Sequence, residues 1–364
     1  MRLNIVSPFY YPHIGGMEFA LRRIAKALQG MGCDCRVYTS SLTPRYPADQ
    51  DGDDQDGDDQ EVLRVDGGLT AWAAAVPAFA RTCDPSADVL LFASLGPGTA
   101  DRQLAAAREF RRRGGVTVWR SPTADHAIRN VADCADLLHE AFDRVVANSA
   151  ASAAMTRQAL PGVDVRVIEN LLLDSELDRG ARLGEEPRSV DVAWAGRIEP
   201  RKRPLELRAA LNALVASGRT VAAQAAPSYG RQALFDEFVA GLDPRVRRVP
   251  PSIRLGDVVE HARVQLHLTL REGSPNAVLE ALSRGQAVLV SDIPECAELV
   301  AGFPGAVMLP GSEVPAAALE QAVAAGSDVA QRRARIALVR RRHGEKHLAQ
   351  RWSGLFADAR TARA

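Results

Sequence analysis

A two-domain α/β fold, with parallel sheets covered by helices on both faces, is the architecture this sequence predicts, and three observations predict it. The 364 residues suit two domains of ordinary size better than one, and 46% hydrophobic content is enough for two cores. Short β-branched apolar runs alternate with helical patterns almost throughout, as in parallel strands joined by crossover helices. The alternation is interrupted once, by the charged, Gly- and Pro-containing segment 174–189, and then resumes. The link between the halves is placed there, which gives domains at 1–174 and 175–345.

In the first half, strands are expected at 3–7, 35–39, 89–94, 116–119, 145–148 and 165–168. Between the first two, Met17, Leu21, Ile24 and Leu28 recur at helical spacing, and Gly30 and Gly32 follow as stop signals. The second half repeats the pattern, with strands expected at 190–195, 221–225, 246–249, 264–270, 287–291 and 306–309. Each half is therefore doubly wound and Rossmann-like. Ligands of such sheets sit at the carboxyl ends of the strands. Gly15-Gly16 and Glu272-Gly273 both directly follow strand candidates, so the two loops could line one cleft. The stretch 347–359, with Leu348, Trp352 and Phe356 at four-residue spacing, reads as an amphipathic helix.

Lys plus Arg and Asp plus Glu both number 45, so nothing global points to nucleic acid or to a strongly anionic partner. The five cysteines, Cys33, Cys35, Cys83, Cys134 and Cys296, contain no CxxC pair and read as reduced thiols, with no structural metal. The start, MRLNIVSPFYYP, reads as a strand and a loop rather than a leader, and no segment approaches the ~20 apolar residues that cross a bilayer. A cytoplasmic protein is expected. The runs Arg111-Arg112-Arg113 and Arg340-Arg341-Arg342 are either solvated helix faces or contacts to anionic lipid or a phosphorylated acceptor at the inner membrane face. Segment 49–60 carries QDGDD twice with no apolar residue and reads as a surface loop; Asp51-Gly52-Asp53 and Asp56-Gly57-Asp58 imitate a metal-holding Asp-x-Asp but are assigned no metal. His13, His139, His261, His267, His343 and His347 lack metal-ligand spacing and are expected to be structural or exposed.

The chemistry concentrates in 271–285, REGSPNAVLEALSRG, where Glu272 and Glu280, eight positions apart, straddle a turn that opens a helix. Ser274 can cap it, Pro275 suits its first position and Gly285 ends it. Backbone N–H groups of 273–277 are then left unpaired at the positive end of the helix dipole, a seat for an anion such as a diphosphate. Glu280 lies roughly 7 Å beyond Pro275 along the axis, at ~1.5 Å per residue, so the carboxylates are too far apart to form one acid/base pair. Each can instead accept hydrogen bonds from a separate set of hydroxyls with phosphates between them, the outline of a sugar nucleotide. The plain alternative is a capped amphipathic helix with two solvated glutamates. Beside this element, Gly196-Arg197 ends a strand and Lys202 follows five positions after the arginine, two cations suited to neutralise a departing diphosphate.

With these motifs the chain resembles the retaining nucleotide-sugar glycosyltransferases of the GT-B fold, related to glycogen and sucrose synthases, and especially their short bacterial members. The likeness takes in the Gly15-Gly16-Met17-Glu18 loop, VVANS ending at Ser149, Arg197 with Lys202, EGSPNAVLEAL, and Ser291-Asp292, Pro294 and Glu298. It implies two Rossmann-like domains facing across a cleft, with the final helix, 346–364, crossing back to the first domain. It also implies that Arg197 and Lys202 hold the donor's distal phosphate, Glu272 the hydroxyls of the transferred sugar and Glu280 the ribose. Gly273, Ser274, Pro275 and Asn276 would pass beneath sugar and phosphates. Gly16, with Gly15, would approach the donor from the other side, where a side chain would crowd it.

The activity implied is transfer of a hexose-type sugar from a UDP or GDP donor to a hydroxyl on a small molecule or glycan, in polysaccharide, glycolipid or natural-product synthesis. It would proceed with retention, without metal or other cofactor, and with no protein nucleophile, the leaving phosphate taking the acceptor's proton. Two places depart from the pattern. Many relatives carry a histidine just after the strand that corresponds to 116–119; here Arg120 or His126 is left to take that part, and His126 is placed among the site residues. Glu169-Asn170-Leu171-Leu172-Leu173-Asp174 replaces the usual Asn-Gly before an aspartate, which implies a stiffer hinge. A nucleotide-sugar epimerase or hydrolase, or a non-catalytic sugar-nucleotide binder, are the other readings of the same architecture; a nicotinamide enzyme is disfavoured because the first turn lacks GxGxxG.

Overall fold

The computed structural model describes residues 1–42, 60–96, 98–121, 135–252 and 254–362. Two sheets, all of whose strand pairs are parallel, organise the chain. The first contains β1 (Arg2–Val6), β2 (Asp34–Ser40), β3 (Glu61–Val65), β4 (Asp88–Phe92), β5 (Val116–Ser121), β6 (Arg144–Ala147) and β7 (Val165–Val167), in the order β3-β2-β1-β4-β5-β6-β7. The second contains β8 (Val190–Ile198), β9 (Val221–Pro227), β10 (Arg247–Val249), β11 (Ala262–His267), β12 (Ala287–Ser291) and β13 (Ala306–Leu309), in the order β10-β9-β8-β11-β12-β13. The doubly wound α/β expectation holds in both halves. Central strands read as continuous apolar runs because helices cover both of their faces: Val89 to Phe92 and Ala287 to Val290 are wholly buried.

Strand order reverses between β1 and β4 in one sheet and between β8 and β11 in the other. A crevice opens at each reversal because neighbouring connections leave toward opposite faces. The loops after β1, β8 and β11 therefore converge, and they carry Gly15-Gly16, Arg197 to Lys202, and Glu272 to Asn276.

Three expectations need correction. The sequence reading has no strand at β3, which is a half-exposed edge where Glu61 and Arg64 interrupt the apolar pattern. The segment 174–189, read as a link, is largely a helix, Asp174–Glu185. Its glycines serve packing: a Cβ on Gly180 would stand 2.3 Å from the Ser283 carbonyl oxygen, and one on Gly184 would stand 2.4 Å from Ile336 Cδ1. Finally, the helix of the paired-glutamate element is Asn276–Ser283; Pro275 precedes it in extended conformation and no side chain caps it. Gly285, at φ +75°, does end it.

The last helix, Glu345–Thr361, buries Leu348, Trp352 and Phe356 in one cluster with Leu3, Ile5, Leu21 and Ile24 of the first domain. No apolar cluster among the described residues joins the two sheets themselves.

Gly180→Ala tests the packing role of the helix that crosses between the halves. Helix propensity alone would add about 1 kcal/mol of stability. The clash with Ser283 reverses the sign, and urea unfolding should show a loss of about 1–3 kcal/mol.

Candidate functional site

A short turn, Pro200–Lys202, follows β8 and ends at Arg203, whose φ of +53° is the only positive value at a non-glycine residue among those described. This reversal turns Arg201 and Lys202 inward. Two hydrogen bonds tie the turn to the loop after β11: the Leu270 N–H donates to the Arg201 carbonyl at 2.8 Å, and the Thr269 hydroxyl to the same carbonyl at 3.2 Å. Ser291, ending β12, accepts from the Thr269 N–H at 2.9 Å and fixes the loop from its other side.

Between these loops lies Glu272, 7% exposed. Lys202 Nζ bonds to its Oε1, Arg201 Nη1 stands 2.9 Å from its Oε2, and His267 Nε2 and the Thr269 hydroxyl each lie 3.3 Å from Oε1. Burial alone would push the Glu272 carboxyl up, yet the charges of Lys202 and Arg201 hold it well below the usual carboxylate range. Burial lowers the Lys202 ammonium, and Glu272 limits the fall. Burial, reinforced by Lys202, pushes the His267 imidazole down to about 4, so it is neutral at physiological pH.

Arg197, on β8, pairs with Glu199 at 2.9 Å and reaches Glu18 of the first domain at 3.8 Å. Glu18 is buried in the first turn of the helix Gly16–Gln29, with His13 Nδ1 at 3.4 Å from it. A Cβ on Gly15 would stand 2.2 Å from Glu18 Oε2 and 3.0 Å from Arg197 Nη1. One on Gly16 would stand 3.3 Å from Asn276 Nδ2, which donates to the Gly16 carbonyl. The glycines thus let the first domain's loop touch both the basic cluster and the start of the helix Asn276–Ser283.

That helix start is open: among the described residues, the backbone N–H groups of Gly273, Ser274, Asn276 and Ala277 donate no hydrogen bond. The Ser274 carbonyl accepts from Asn170 Nδ2 at 3.0 Å, and Asn170 Oδ1 accepts from Arg120 at 2.7 Å. Glu280, about one helical turn on, shares none of the Glu272 partners. Its Oε1 accepts from Arg23 Nη2 at 2.7 Å, and Arg23 also forks onto Glu176 at 2.8 to 3.1 Å. Glu18, Arg23, Arg120, Asn170, Glu176, Arg197, Glu199, Arg201, Lys202, His267, Glu272, Asn276 and Glu280 line one cleft of about 830 Å³ between the sheets.

The cleft therefore brings together Gly15, Gly16, Arg197, Lys202, Gly273, Ser274, Pro275, Asn276, Glu272 and Glu280. His126 and the repeated Asp-Gly-Asp loop lie outside the described residues. Among those described, no group of three His, Cys, Asp or Glu side chains is placed to hold a metal ion, and no helix is long and apolar enough to cross a membrane. His13 and His267, expected to be structural or exposed, are buried at the site, 4% and 2% exposed. Sequence reading gave no site role to Arg201, Glu199, Glu18, Asn170 and Arg23. Two of these carried a signal: Arg201 adjoins Lys202 in one basic run, and Glu18 sits in the turn that follows the paired glycines. The others are selected by contacts from distant parts of the chain.

Residues 15–171 match the glycosyl transferase 4-like domain family, and residues 189–326 match the glycosyl transferases group 1 family. Among curated proteins no match is found. Several solved structures share the fold. HepE from Anabaena, in complex with UDP and glucose, is 17% identical with a TM-score of 0.70, and the alignment covers 98% of this chain and 100% of that one. Sucrose-phosphate synthase from Thermosynechococcus elongatus is 15% identical with a TM-score of 0.72, covering 99% of both chains. The pneumococcal O-GlcNAc transferase GtfA, in complex with UDP and GlcNAc, is 10% identical with a TM-score of 0.66, again covering 99% of both.

The depressed imidazole gives a pH test. An unfolded His267 takes up its proton near pH 6.5, whereas the folded one resists until about 4, so its contribution to stability is present above pH 6.5 and is lost as the pH falls toward 4. Urea unfolding of the wild type and His267→Asn at pH 7 and pH 5 should show the gap between them shift by about 2 kcal/mol in favour of the variant at the lower pH. Parallel pH dependences would contradict the assigned neutral state.

Proposed function

We propose, on the premise that the chain is a glycosyltransferase whose first half matches the glycosyl transferase 4-like domain and whose second half matches the group 1 family, that it moves a hexose-type sugar from a nucleoside diphosphate donor to a hydroxyl acceptor, with retention and without a metal. One observation carries this reading: four unpaired backbone N–H groups at the start of the helix Asn276–Ser283 share a cleft with three cations, Arg197, Arg201 and Lys202. A diphosphate satisfies both sets at once. UDP is the first donor base to test, because HepE and GtfA are held with it.

In this reading the diphosphate takes hydrogen bonds from the N–H groups of Gly273, Ser274, Asn276 and Ala277 and charge from the basic side chains. Since negative charge grows on the departing phosphate, the same groups stabilise the transition state more than the bound donor. Glu272, kept ionised by Lys202 and Arg201, accepts hydroxyls of the sugar. Glu280 spends Oε1 on Arg23 and offers Oε2 to the ribose. The leaving phosphate accepts the acceptor's proton, so the chain needs no nucleophile of its own. An acidic carboxyl that donates a proton is not available at Glu272, whose charge is locked by two cations. Polysaccharide, glycolipid or natural-product assembly is the setting such a transfer would serve.

Incubation with UDP- or GDP-sugars and an alcohol acceptor should yield nucleoside diphosphate and a glycoside of unchanged anomeric configuration, read by proton NMR, and EDTA should leave the rate intact. Lys202→Ala should lower kcat/KM by about 100- to 1000-fold, the usual cost of one lost charge-stabilising donor. Glu272→Gln is the appropriate partner variant, since Glu272→Ala would strand two buried cations at a cost of about 3–5 kcal/mol. Nucleoside diphosphate released at the same rate without acceptor would indicate a hydrolase instead.

A further inference from the structure

The cations at the centre of the cleft, buried or half-buried, have carboxylates. Arg197 has Glu18 and Glu199, Arg201 has Glu199 and Glu272, Lys202 has Glu272, and Arg23 has Glu176 and Glu280. Arg120 has none. It is 2% exposed, lines the cleft at the carboxyl end of β5, and makes one hydrogen bond, to Asn170. Its Nε and Nη1 are buried with no partner among the described residues, as is Oδ1 of Asn148, which lines the same cleft at the end of β6. Burial pulls the guanidinium down to about 10, which still leaves it charged at neutral pH.

A buried, unpaired charge is among the most expensive features a fold can hold. It persists where a ligand supplies the missing partner, and each such group in a native structure calls for an explanation of that kind. Position narrows the choice. Asn170 joins Arg120 to the Ser274 carbonyl, in the loop that precedes the helix Asn276–Ser283. An uncompensated cation lining the cleft would oppose an oxocarbenium-like transition state by like-charge repulsion; an anion on the substrate removes the penalty.

We propose that Arg120 receives an anionic group, a carboxylate or phosphate, borne by one of the two sugar substrates, so that the protein acts on an acidic sugar in preference to a neutral one. This rests on the reading of the cleft as a sugar-nucleotide site. Guanidinium suits the task because its planar fork matches carboxylate and phosphate oxygens.

Calorimetric titration of the full chain and of Arg120→Met and Arg120→Lys decides it. The donor arm compares UDP-glucuronate with UDP-glucose; the acceptor arm compares glucose 6-phosphate with glucose, with and without UDP present. In one arm the charged probe should bind wild type at least about tenfold more tightly than its neutral counterpart, equivalent to about 1.4 kcal/mol. Arg120→Met should abolish that preference and Arg120→Lys should keep part of it. A preference confined to the donor arm places the anion on the donor, and one confined to the acceptor arm places it on the acceptor. No preference in either arm, or a preference that survives Arg120→Met, overturns the proposal. Absence of binding by UDP and GDP would count against the functional reading, while the acceptor arm without UDP would still decide the role of Arg120. Melting of the ligand-free proteins separates a structural role: Arg120→Met should melt no lower than wild type, and a fall of several degrees would assign the residue to the fold and overturn the proposal.

Discussion

The carboxylate of Glu272 is the fixed point on which the second domain's contribution to the cleft depends. It lies in a loop, and a loop holds position only where its polar groups are satisfied from outside. Lys202 and Arg201 come from the turn after β8, His267 from the end of β11, and Thr269 from the loop itself. Removing any one would leave a buried charge short of a partner, so the arrangement is specified from several directions. The consequence is preorganisation: cations and unpaired backbone N–H groups among the described residues are fixed by the fold, as the proposed transfer requires.

The second feature is the character of the seam between domains. Apolar clusters stay with one sheet or the other, whereas the bridges are polar: Arg197 to Glu18, Asn276 to the Gly16 carbonyl, Asn170 to the Ser274 carbonyl, Arg23 to Glu280, and the Ala150 and Ala151 N–H groups to Glu298 at 2.7 and 2.9 Å. Contacts of this kind exchange readily for water, so a cleft closed by them can open at modest cost. Two of them, at Glu280 and Arg197, involve the groups assigned to the donor. In the proposed reading, the contacts between the domains and the binding of the donor draw on the same set of side chains.

Much of this was legible in the sequence because it depends on short-range regularity. Apolar runs of four or five residues between helical patterns mark strands buried on both faces, and they located twelve of the thirteen described strands. The exception, β3, lies at an edge, where one-sided burial permits charge within the strand. The charged segment 174–189 misled for a related reason: a helix that packs through glycines and exposes its other face has the composition of a linker. At the site, Glu272, Glu280 and the glycines beside them were readable because turn chemistry and helix starts are encoded within a few residues.

By itself, then, the sequence determined the doubly wound halves, the open helix start with its flanking carboxylates, and the basic pair at the end of β8. The tertiary structure alone decided which charges meet. Arg23 and Glu280 are 257 positions apart, and Arg120 reaches Asn170 across 50. Neither distance leaves a local signature. Whether a buried cation finds a carboxylate, as Arg23 does, or is left without one among the described residues, as Arg120 is, depends on how the strand ends are stacked against one another, and the Coulomb and desolvation energies that follow are properties of that packing.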